Sequence, residues 1–179
     1  LMEKAKKFKF YIGLFYLIFI FLFLYYFFSK FSLQEIRRYD FIKNNRDYFF
    51  ELRQSNLFLL ATLFFLFTII WVLAAGFGSP IAIFGGFIFG KWIGTLIVII
   101  SLSVGSTLLY TFSNFYLKEI IREKFLKKYQ ILEVKFKKSE FIYLLVYRFI
   151  GGIPFAISNV LPCIFNVKVK NFFWATFLG

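Results

Sequence analysis

The chain has 179 residues, of which 60% are hydrophobic and 25% aromatic, and it carries a formal net charge of +13. A soluble domain of this size cannot bury so much apolar surface, so the composition indicates an all-α, polytopic membrane protein. The positive charge lies between the apolar runs, where the positive-inside rule accounts for it, so no nucleic-acid partner is implied.

The N-terminal part contains one apolar run followed by a charged connector. Four lysines precede the uncharged run from Phe10 to Phe28, which is long enough to span a bilayer. The run is too long for the apolar core of a signal peptide, so we expect a retained first helix. Residues 29–56 mix charged and apolar side chains, which leaves open an interfacial helix over 32–54 or a loose connecting loop. We assign residues 1–56 to this N-terminal unit and residues 57–179 to a membrane domain.

The next 60 residues carry one charge and predict a span, a broken segment and a further span. Leu57 to Ala75 is a second apolar run of 19 residues. The segment Gly76–Gly90 is rich in glycine and too short to cross as a regular helix, so we expect a re-entrant pair of half-helices there. A full helix from about Trp92 to Tyr116 follows.

The C-terminal third begins with a charged connector and continues into a second broken segment. Residues 118–140 hold eight basic and four acidic residues, and a surface helix near the headgroups and a solvated basic loop are equally open. From Phe141 to Val167 Arg148 is the one charged residue, and Pro154, Asn159 and Pro162 interrupt the apolar run, which predicts a hairpin. Residues 171–179 stop within an apolar segment, so we expect a further span beyond them.

The two halves of the chain share one pattern. Each contains a polar connector, an apolar spanning run and an apolar segment broken by glycine and proline. Paired interruptions of this kind are typical of transporters with inverted repeats, whose binding site lies where the broken elements meet. We therefore predict two re-entrant helical hairpins related by an inverted repeat.

Two motifs, one in each broken segment, occur together in this chain. The first is Gly78-Ser-Pro-Ile-Ala-Ile-Phe-Gly-Gly-Phe-Ile-Phe-Gly90. The second begins at Arg148, continues through Pro154 and Asn159, and ends with Thr176 and Gly179. In combination they resemble the two signatures of the DedA superfamily, closest to its SNARE-associated Golgi protein or VTT-domain branch.

The resemblance implies both a fold and a function. It implies a multi-pass protein, which we expect in a bacterial inner membrane, with two re-entrant hairpins facing each other across the bilayer. Such proteins are implicated in moving phospholipid or polyprenyl phosphate between leaflets as scramblases or flippases. The expected partners are therefore membrane lipids with anionic phosphate headgroups, and a homo-oligomer stays open.

The candidate site residues come from matching the motifs. We expect Arg148, Pro154 and Asn159 to bind substrate. Arg148 would hold a lipid phosphate in its planar fork of donors, or would instead extend to the interface as an arginine near a helix end. Asn159 would contact substrate or cap an unwound turn. We expect the hairpin backbone to be shaped by Pro80, Gly85, Gly86, Gly90, Gly151 and Gly152.

The apolar segments lack acidic residues and histidine, and this absence limits the transport mechanisms that the chain can use. All nine acids lie in the connectors or the N-terminal tail, and the chain has no histidine. A proton relay through the core thus has no candidate residues, which favours energy-independent lipid movement. The single cysteine excludes an internal disulfide, and we expect no metal site and no cofactor. No nucleophile–base pair is evident, so we expect that the protein is not an enzyme. The alternative function is a non-transporting membrane scaffold or assembly factor that binds partner membrane proteins.

The orientation in the membrane stays open at this stage. Lysine counts place the N-terminus and residues 118–140 on the cytoplasmic side. Counting spans with a re-entrant first hairpin places these two regions on opposite faces. One of the two arguments must fail, or the Gly76–Gly90 segment crosses the membrane.

Overall fold

The computed structural model of the chain describes residues 51–119 and 136–179 continuously, together with residues 121 and 134 and scattered positions between 8 and 48. The two continuous stretches contain helices, turns and no strand, so the all-α prediction is confirmed for them. The described positions between 11 and 26 are helical, where the sequence predicts its first helix. The predictions for 32–54 and 118–140 fall mostly outside the described residues.

One long helix organises the shorter ones. The helices with both ends described are α1 (Leu57–Leu73), α2 (Gly78–Phe89), α3 (Lys91–Tyr116), α4 (Glu140–Ile150), α5 (Phe155–Val160), a 3-10 helix (Leu161–Phe165) and α6 (Val169–Leu178). The 26 residues of α3 extend about 39 Å. In the described part of the chain, α3 is the one helix long and apolar enough to cross a membrane. It confirms the helix predicted from about Trp92 to Tyr116.

The first helix pair consists of α1 and α2, joined by residues 74–77, which we call turn 1. Asn56 begins α1 because its side-chain oxygen accepts a hydrogen bond from the Leu59 amide at 3.0 Å. The sequence predicts a full span over 57–75, but α1 has 17 residues and forms one arm of this pair. Ala75 stops the helix by adopting a left-handed φ of 59°.

The helix α2 is continuous, whereas the sequence predicts two half-helices within Gly76–Gly90. Pro80 is the third residue of α2, where backbone amides have no partner within the helix, so its missing N–H is tolerated. Gly85 and Gly86 lie in the middle of α2, where a glycine weakens a helix by about 1 kcal/mol without breaking it. The segment is therefore one unbroken helix that follows α1 and packs mainly on α3. The chain then reverses into α3 at Gly90, whose φ is +79°.

Close backbone contact holds α2 against α3. A Cβ atom on Gly94 would lie 2.6 Å from the Gly85 carbonyl oxygen, so a larger residue does not fit there. A Cβ atom on Gly85 would in turn collide with the Val98 side chain of α3 and approach the Phe64 ring of α1. The three helices thus share one apolar core, whose buried members are Phe64, Trp71, Ile81, Phe89 and Val98.

The second helix pair consists of α4 and of α5 with its 3-10 extension. The two arms are joined by residues 151–154, which we call turn 2. Gly151 and Gly152 have φ values of +65° and +75°, which reverse the chain at the end of α4. Pro154 precedes α5 with a φ of −52°, the value its ring imposes. Glycine and proline therefore make the turn that the sequence predicts within residues 141–167.

The second helix pair packs against α6 and α3. Glu140, the first residue of α4, accepts hydrogen bonds from the Lys168 amide at 3.2 Å and the Asn171 side chain at 2.8 Å. The starts of α4 and α6 therefore lie together, and the two helices run in the same direction. The Tyr110 ring of α3 stacks on Phe172 of α6 with centroids 4.4 Å apart. This stack belongs to a second core, whose buried members are Tyr110, Leu144, Cys163, Val167, Phe172 and Ala175.

Candidate functional site

A cavity of about 540 Å³ lies where turn 1 and turn 2 approach the middle of α3. Its volume is in the range of small-molecule sites. A Cβ atom on Gly78 would lie 3.5 Å from the Phe155 ring, which shows that the starts of α2 and α5 meet here. The walls come from both helix pairs, α3 and α6, and they include Gly78, Ser79, Ile99, Ser103, Arg148 and Thr176.

Arg148 lies in the last turn of α4, and its guanidinium group is held by three hydrogen bonds. Its Nη1 donates to the Ser158 hydroxyl at 2.9 Å. Its Nη2 donates to Asn159 Oδ1 at 2.7 Å and to the Thr176 hydroxyl at 2.8 Å. The guanidinium carbon also lies 5.1 Å from the centre of the Phe172 ring. The arginine side chain therefore points inward to α5 and α6.

The partners of Arg148 are themselves held in place. The Ser158 hydroxyl donates to the Phe155 carbonyl at 2.8 Å, and the Thr176 hydroxyl donates to the Phe172 carbonyl at 2.8 Å. Each hydroxyl has thus used its own proton, so its lone pairs face the guanidinium. Asn159 is fully buried and accepts through its side-chain oxygen. The guanidinium is consequently held in one orientation by groups from two helices.

The charge of Arg148 is not balanced by an acid within the described residues. Its three acceptors are all neutral, and the nearest acid along α4, Glu140, binds the start of α6. A guanidinium has five N–H donors, so two remain for a further acceptor. A partly buried cation without an anionic partner is costly, and an anion entering the cavity would relieve that cost. Two further buried groups have no hydrogen-bond partner among these residues, Tyr147 Oη and Asn159 Nδ2.

The predicted substrate-binding residues have three different positions. Arg148 lines the cavity, together with Gly151 from turn 2. Asn159 does not line it and contacts Arg148 from inside the protein. Pro154 is exposed at the start of α5.

The predicted hairpin-shaping residues also separate into groups. Gly90, Gly151 and Gly152 adopt positive φ values, and Gly85 contacts α3 closely. A Cβ atom added to Gly86 would meet nothing within 4 Å. The sequence analysis did not assign Ser158 or Thr176 to the site, although Thr176 belongs to the second motif. In the described residues, no three potential His, Cys, Asp or Glu ligands come together to hold a metal ion.

The comparison with known protein families identifies this region. The VTT domain matches residues 77–179, which is more than half of the chain. The chain belongs to the VTT-domain family. This is the domain of the DedA and SNARE-associated Golgi proteins, so the resemblance of the two motifs is confirmed and with it the association with membranes. The matched residues of the VTT domain run from the end of turn 1 to α6, and they include every described group that holds Arg148. No solved structure matches the chain.

Proposed function

We propose that this VTT-domain protein moves lipids with phosphate headgroups between the two leaflets of a membrane, through the cavity at Arg148. The observation that carries the proposal is a partly buried arginine without a described acidic partner, in a cavity between the turns of two short helix pairs. A lipid phosphate would accept from the two remaining guanidinium donors. The apolar walls would accompany the glycerol and acyl region during its passage.

The proposal includes two re-entrant hairpins that enter from opposite faces of the membrane. Both ends of the first helix pair lie near the start of α3, since a Cβ atom on Gly90 would be 3.4 Å from Arg53 Nη1. The end of the second pair lies near the other end of α3, where Lys118 donates to Asn166 Oδ1 at 2.8 Å. The arms are short, because α1 spans about 26 Å and α2 about 18 Å. Both arms of the first pair are shorter than the hydrocarbon core of about 30 Å, so turn 1 would lie inside the bilayer.

An inverted repeat is the simplest description of this arrangement. The order of α1, turn 1, α2 and α3 is repeated by α4, turn 2, α5 with its 3-10 helix, and α6. In the first unit the long helix follows a reversal at Gly90, and in the second α6 follows a reversal at Asn166, whose φ is +51°. Transporters built from such repeats bind substrate where the broken elements meet. This comparison favours a multi-pass protein, which we propose resides in a bacterial inner membrane.

The proposed movement is non-enzymatic and needs no proton relay. The described walls of the cavity contain hydroxyl groups, aromatic rings and Arg148, and none of their side chains is a carboxylate. These groups suit reversible binding of a phosphate, with the direction set by the lipid gradient. Arg148 would lower the barrier that a charged headgroup meets at the centre of an apolar bilayer.

The test is lipid movement in vesicles that contain the purified full chain. Arg148→Ala is expected to slow movement of phosphate lipids by about a hundredfold, because a charge-assisted hydrogen-bonding site is removed. Arg148→Lys is expected to retain part of the activity, since it keeps the charge and loses the fork. Lys91→Ala is the matched control, because Lys91 lies over Trp92 at the start of α3, outside the cavity, and activity should persist.

Two results would overturn the proposal. One is wild-type protein that inserts and folds but moves no lipid class, which would favour a scaffold that binds partner membrane proteins. The other is Arg148→Ala protein with unchanged lipid movement.

A further inference from the structure

We propose that the lysine-rich end of the molecule lies on the cytoplasmic side of the membrane and binds the anionic lipid headgroups of that leaflet. The N-terminal helix enters the membrane from the same side. The inference rests on the two opposed hairpins of the proposed function, and it adds their orientation and a lipid-binding surface. We call this surface the basic end, and its described lysines are Lys118, Lys137, Lys138, Lys168 and Lys170.

The basic end is formed where α3 ends and where α4 and α6 begin. Lys118 follows α3 and donates to Asn166 Oδ1 at 2.8 Å. The Lys168 amide donates to Glu140, the first residue of α4, at 3.2 Å. Two described acids, Glu119 and Glu140, lie at this end, and Glu140 is bonded to the start of α6. Four of the lysines have exposed side chains: Lys137, Lys138, Lys168 and Lys170. The basic end is therefore a positively charged surface that lipid headgroups can reach.

The opposite end of the molecule has fewer described cations. Lys91 begins α3, and Arg53 lies nearby, since a Cβ atom on Gly90 would be 3.4 Å from Arg53 Nη1. The 26 residues of α3 separate this end from the basic end by about 39 Å, close to the thickness of a bilayer with its headgroup layers. The two ends therefore reach opposite headgroup layers.

The contacts of Tyr16 favour an N-terminal helix that runs antiparallel to α3. The Tyr16 ring lies 4.5 Å from the Phe112 ring near the end of α3, measured between centroids, and its hydroxyl donates to the Leu73 carbonyl. Residues 11–16 are helical, so Tyr11 is about 8 Å from Tyr16 along the axis. An antiparallel helix brings Tyr11 level with the end of α3, so the four lysines that precede it in the sequence would enter the headgroup layer. A parallel helix would begin inside the apolar layer, where lysine is costly.

This arrangement removes the conflict between the lysine counts and the count of spans. Counting residues 57–75 as a full span places the N-terminus and residues 118–140 on opposite faces. In the folded chain α1 is instead one arm of the first helix pair, and α2 returns to the face where α1 began. The chain then crosses once more, through α3. The N-terminus and residues 118–140 therefore come to the same face.

The basic residues are distributed unequally between the two faces. Fourteen of the 22 belong to segments on the side of the basic end: four before Phe10, eight in residues 118–140, and Lys168 and Lys170. Six in residues 29–56 belong to the opposite side, together with Lys91. Lysine-rich and arginine-rich segments stay on the cytoplasmic side of a membrane. The anionic lipids of that leaflet attract lysines close to its surface, which makes them the partner of the basic end.

The orientation is tested by labelling introduced cysteines with a membrane-impermeant maleimide in bacterial cells that express the full chain. Ser139→Cys and Ser55→Cys are matched, because both are exposed serines just before the first arm of a helix pair. Ser139→Cys is expected to react at least about tenfold faster in inverted vesicles than in spheroplasts, and Ser55→Cys should show the reverse. Phe8→Cys, at an exposed position near the N-terminus, should follow Ser139→Cys. The unmodified chain gives the background, since its one cysteine, Cys163, is fully buried.

A second measurement tests the lipid partner. The purified full chain with a fluorophore at Ser139→Cys is placed in phosphatidylcholine vesicles that contain a minor fraction of either phosphatidylglycerol or phosphatidylcholine carrying a nitroxide quencher near the headgroup. The phosphatidylglycerol quencher is expected to be about threefold more effective, because lysines near the surface attract anionic lipid. Glutamine at the four exposed lysines of the basic end should bring this ratio close to one. Glutamine at Arg53 and Lys91, on the opposite end, is the matched control and should leave the ratio unchanged.

The outcomes separate this inference from the proposed function. If Ser139→Cys and Ser55→Cys react from the same side, the opposed hairpins of the proposed function are wrong. If they react from opposite sides but Ser139→Cys reacts from outside the cell, the orientation is wrong and the hairpins stand. Reaction of Phe8→Cys from the side opposite to Ser139→Cys would overturn the antiparallel N-terminal helix. Equal quenching by the two lipids would overturn the binding of anionic headgroups, as would a ratio that the four glutamines leave unchanged.

Discussion

Turn 1 and turn 2 each join two short helices, but the side chain near each turn makes different hydrogen bonds. Trp71 lies two residues before the end of α1, and Arg148 lies two residues before the end of α4. The Trp71 indole donates to the Phe77 carbonyl at 2.9 Å and packs against Gly76, so it closes turn 1 on itself. Arg148 instead donates to α5 and α6.

This difference gives the two helix pairs different roles. In turn 1 an indole N–H donates to a carbonyl of the same turn. The turn also forms one wall of the cavity. Turn 2 has open space around Gly151 and Gly152, and the neighbouring arginine supplies the charge. We therefore expect changes near turn 1 to affect stability and changes near turn 2 to affect lipid movement.

The largest expected effect tests the packing of the first helix pair. Gly85→Ala introduces a Cβ atom that collides with Val98, and it is expected to destabilise the protein by about 3 kcal/mol. Gly86→Ala is the matched control, because nothing lies within 4 Å of its added Cβ and alanine favours the helix by about 1 kcal/mol. The measurement is the free energy of unfolding in detergent. Equal stabilities of the two variants would contradict the packing of α2 on α3.

The next effect tests the support of Arg148. Thr176→Val keeps the shape of the side chain and removes the hydroxyl that accepts from Nη2. A hydrogen bond to a charged group contributes about 1.5–3 kcal/mol, so lipid movement is expected to fall about tenfold or more.

The control for this change is Thr62→Val in α1, which removes a hydroxyl that bonds only within its own helix at an exposed position. Its rate of lipid movement in vesicles should match the wild type. Similar losses in both variants would show that the Thr176 contact has no particular role in holding Arg148.

The smallest effect tests the closure of turn 1. Trp71→Phe keeps an aromatic ring in the core and removes the hydrogen bond to the Phe77 carbonyl. It is expected to lower the free energy of unfolding by about 1–2 kcal/mol while lipid movement changes less than about twofold. Trp92→Phe, at an exposed position beside Lys91, should change neither quantity. A loss of movement in Trp71→Phe as large as in Thr176→Val would remove the distinction between the two turns.

The sequence predicted the elements whose causes are local. The apolar run before Tyr116 predicted α3, because its length and lack of charge suffice for a spanning helix. The glycine pair and Pro154 predicted the reversal at turn 2, since both residue types restrict or permit particular backbone angles. The two motifs predicted the family, and Arg148 was singled out because a cation is unexpected in an apolar segment.

Other predictions failed or stayed incomplete where the neighbours of a residue decide its role. A break was predicted inside Gly76–Gly90, but Pro80 lies in the first turn of α2 and two glycines alone do not interrupt a helix. Gly85 and Gly86 have the same local sequence properties, yet only at Gly85 would an added Cβ atom collide with α3. Which face of α2 is covered depends on how the helices cross, and no local pattern contains that information.

The sequence by itself therefore determined the all-α membrane class, the long helix α3, the reversal at turn 2 and the presence of one arginine among apolar residues. These follow from hydrophobic length, backbone preference and the cost of a charge in an apolar segment. Only the tertiary structure decided that α1 and α2 both pack on α3 and that Arg148 points inward. It alone showed that Ser158, Asn159 and Thr176 hold the guanidinium, because these groups come from α5 and α6, up to 28 positions from Arg148 in the chain.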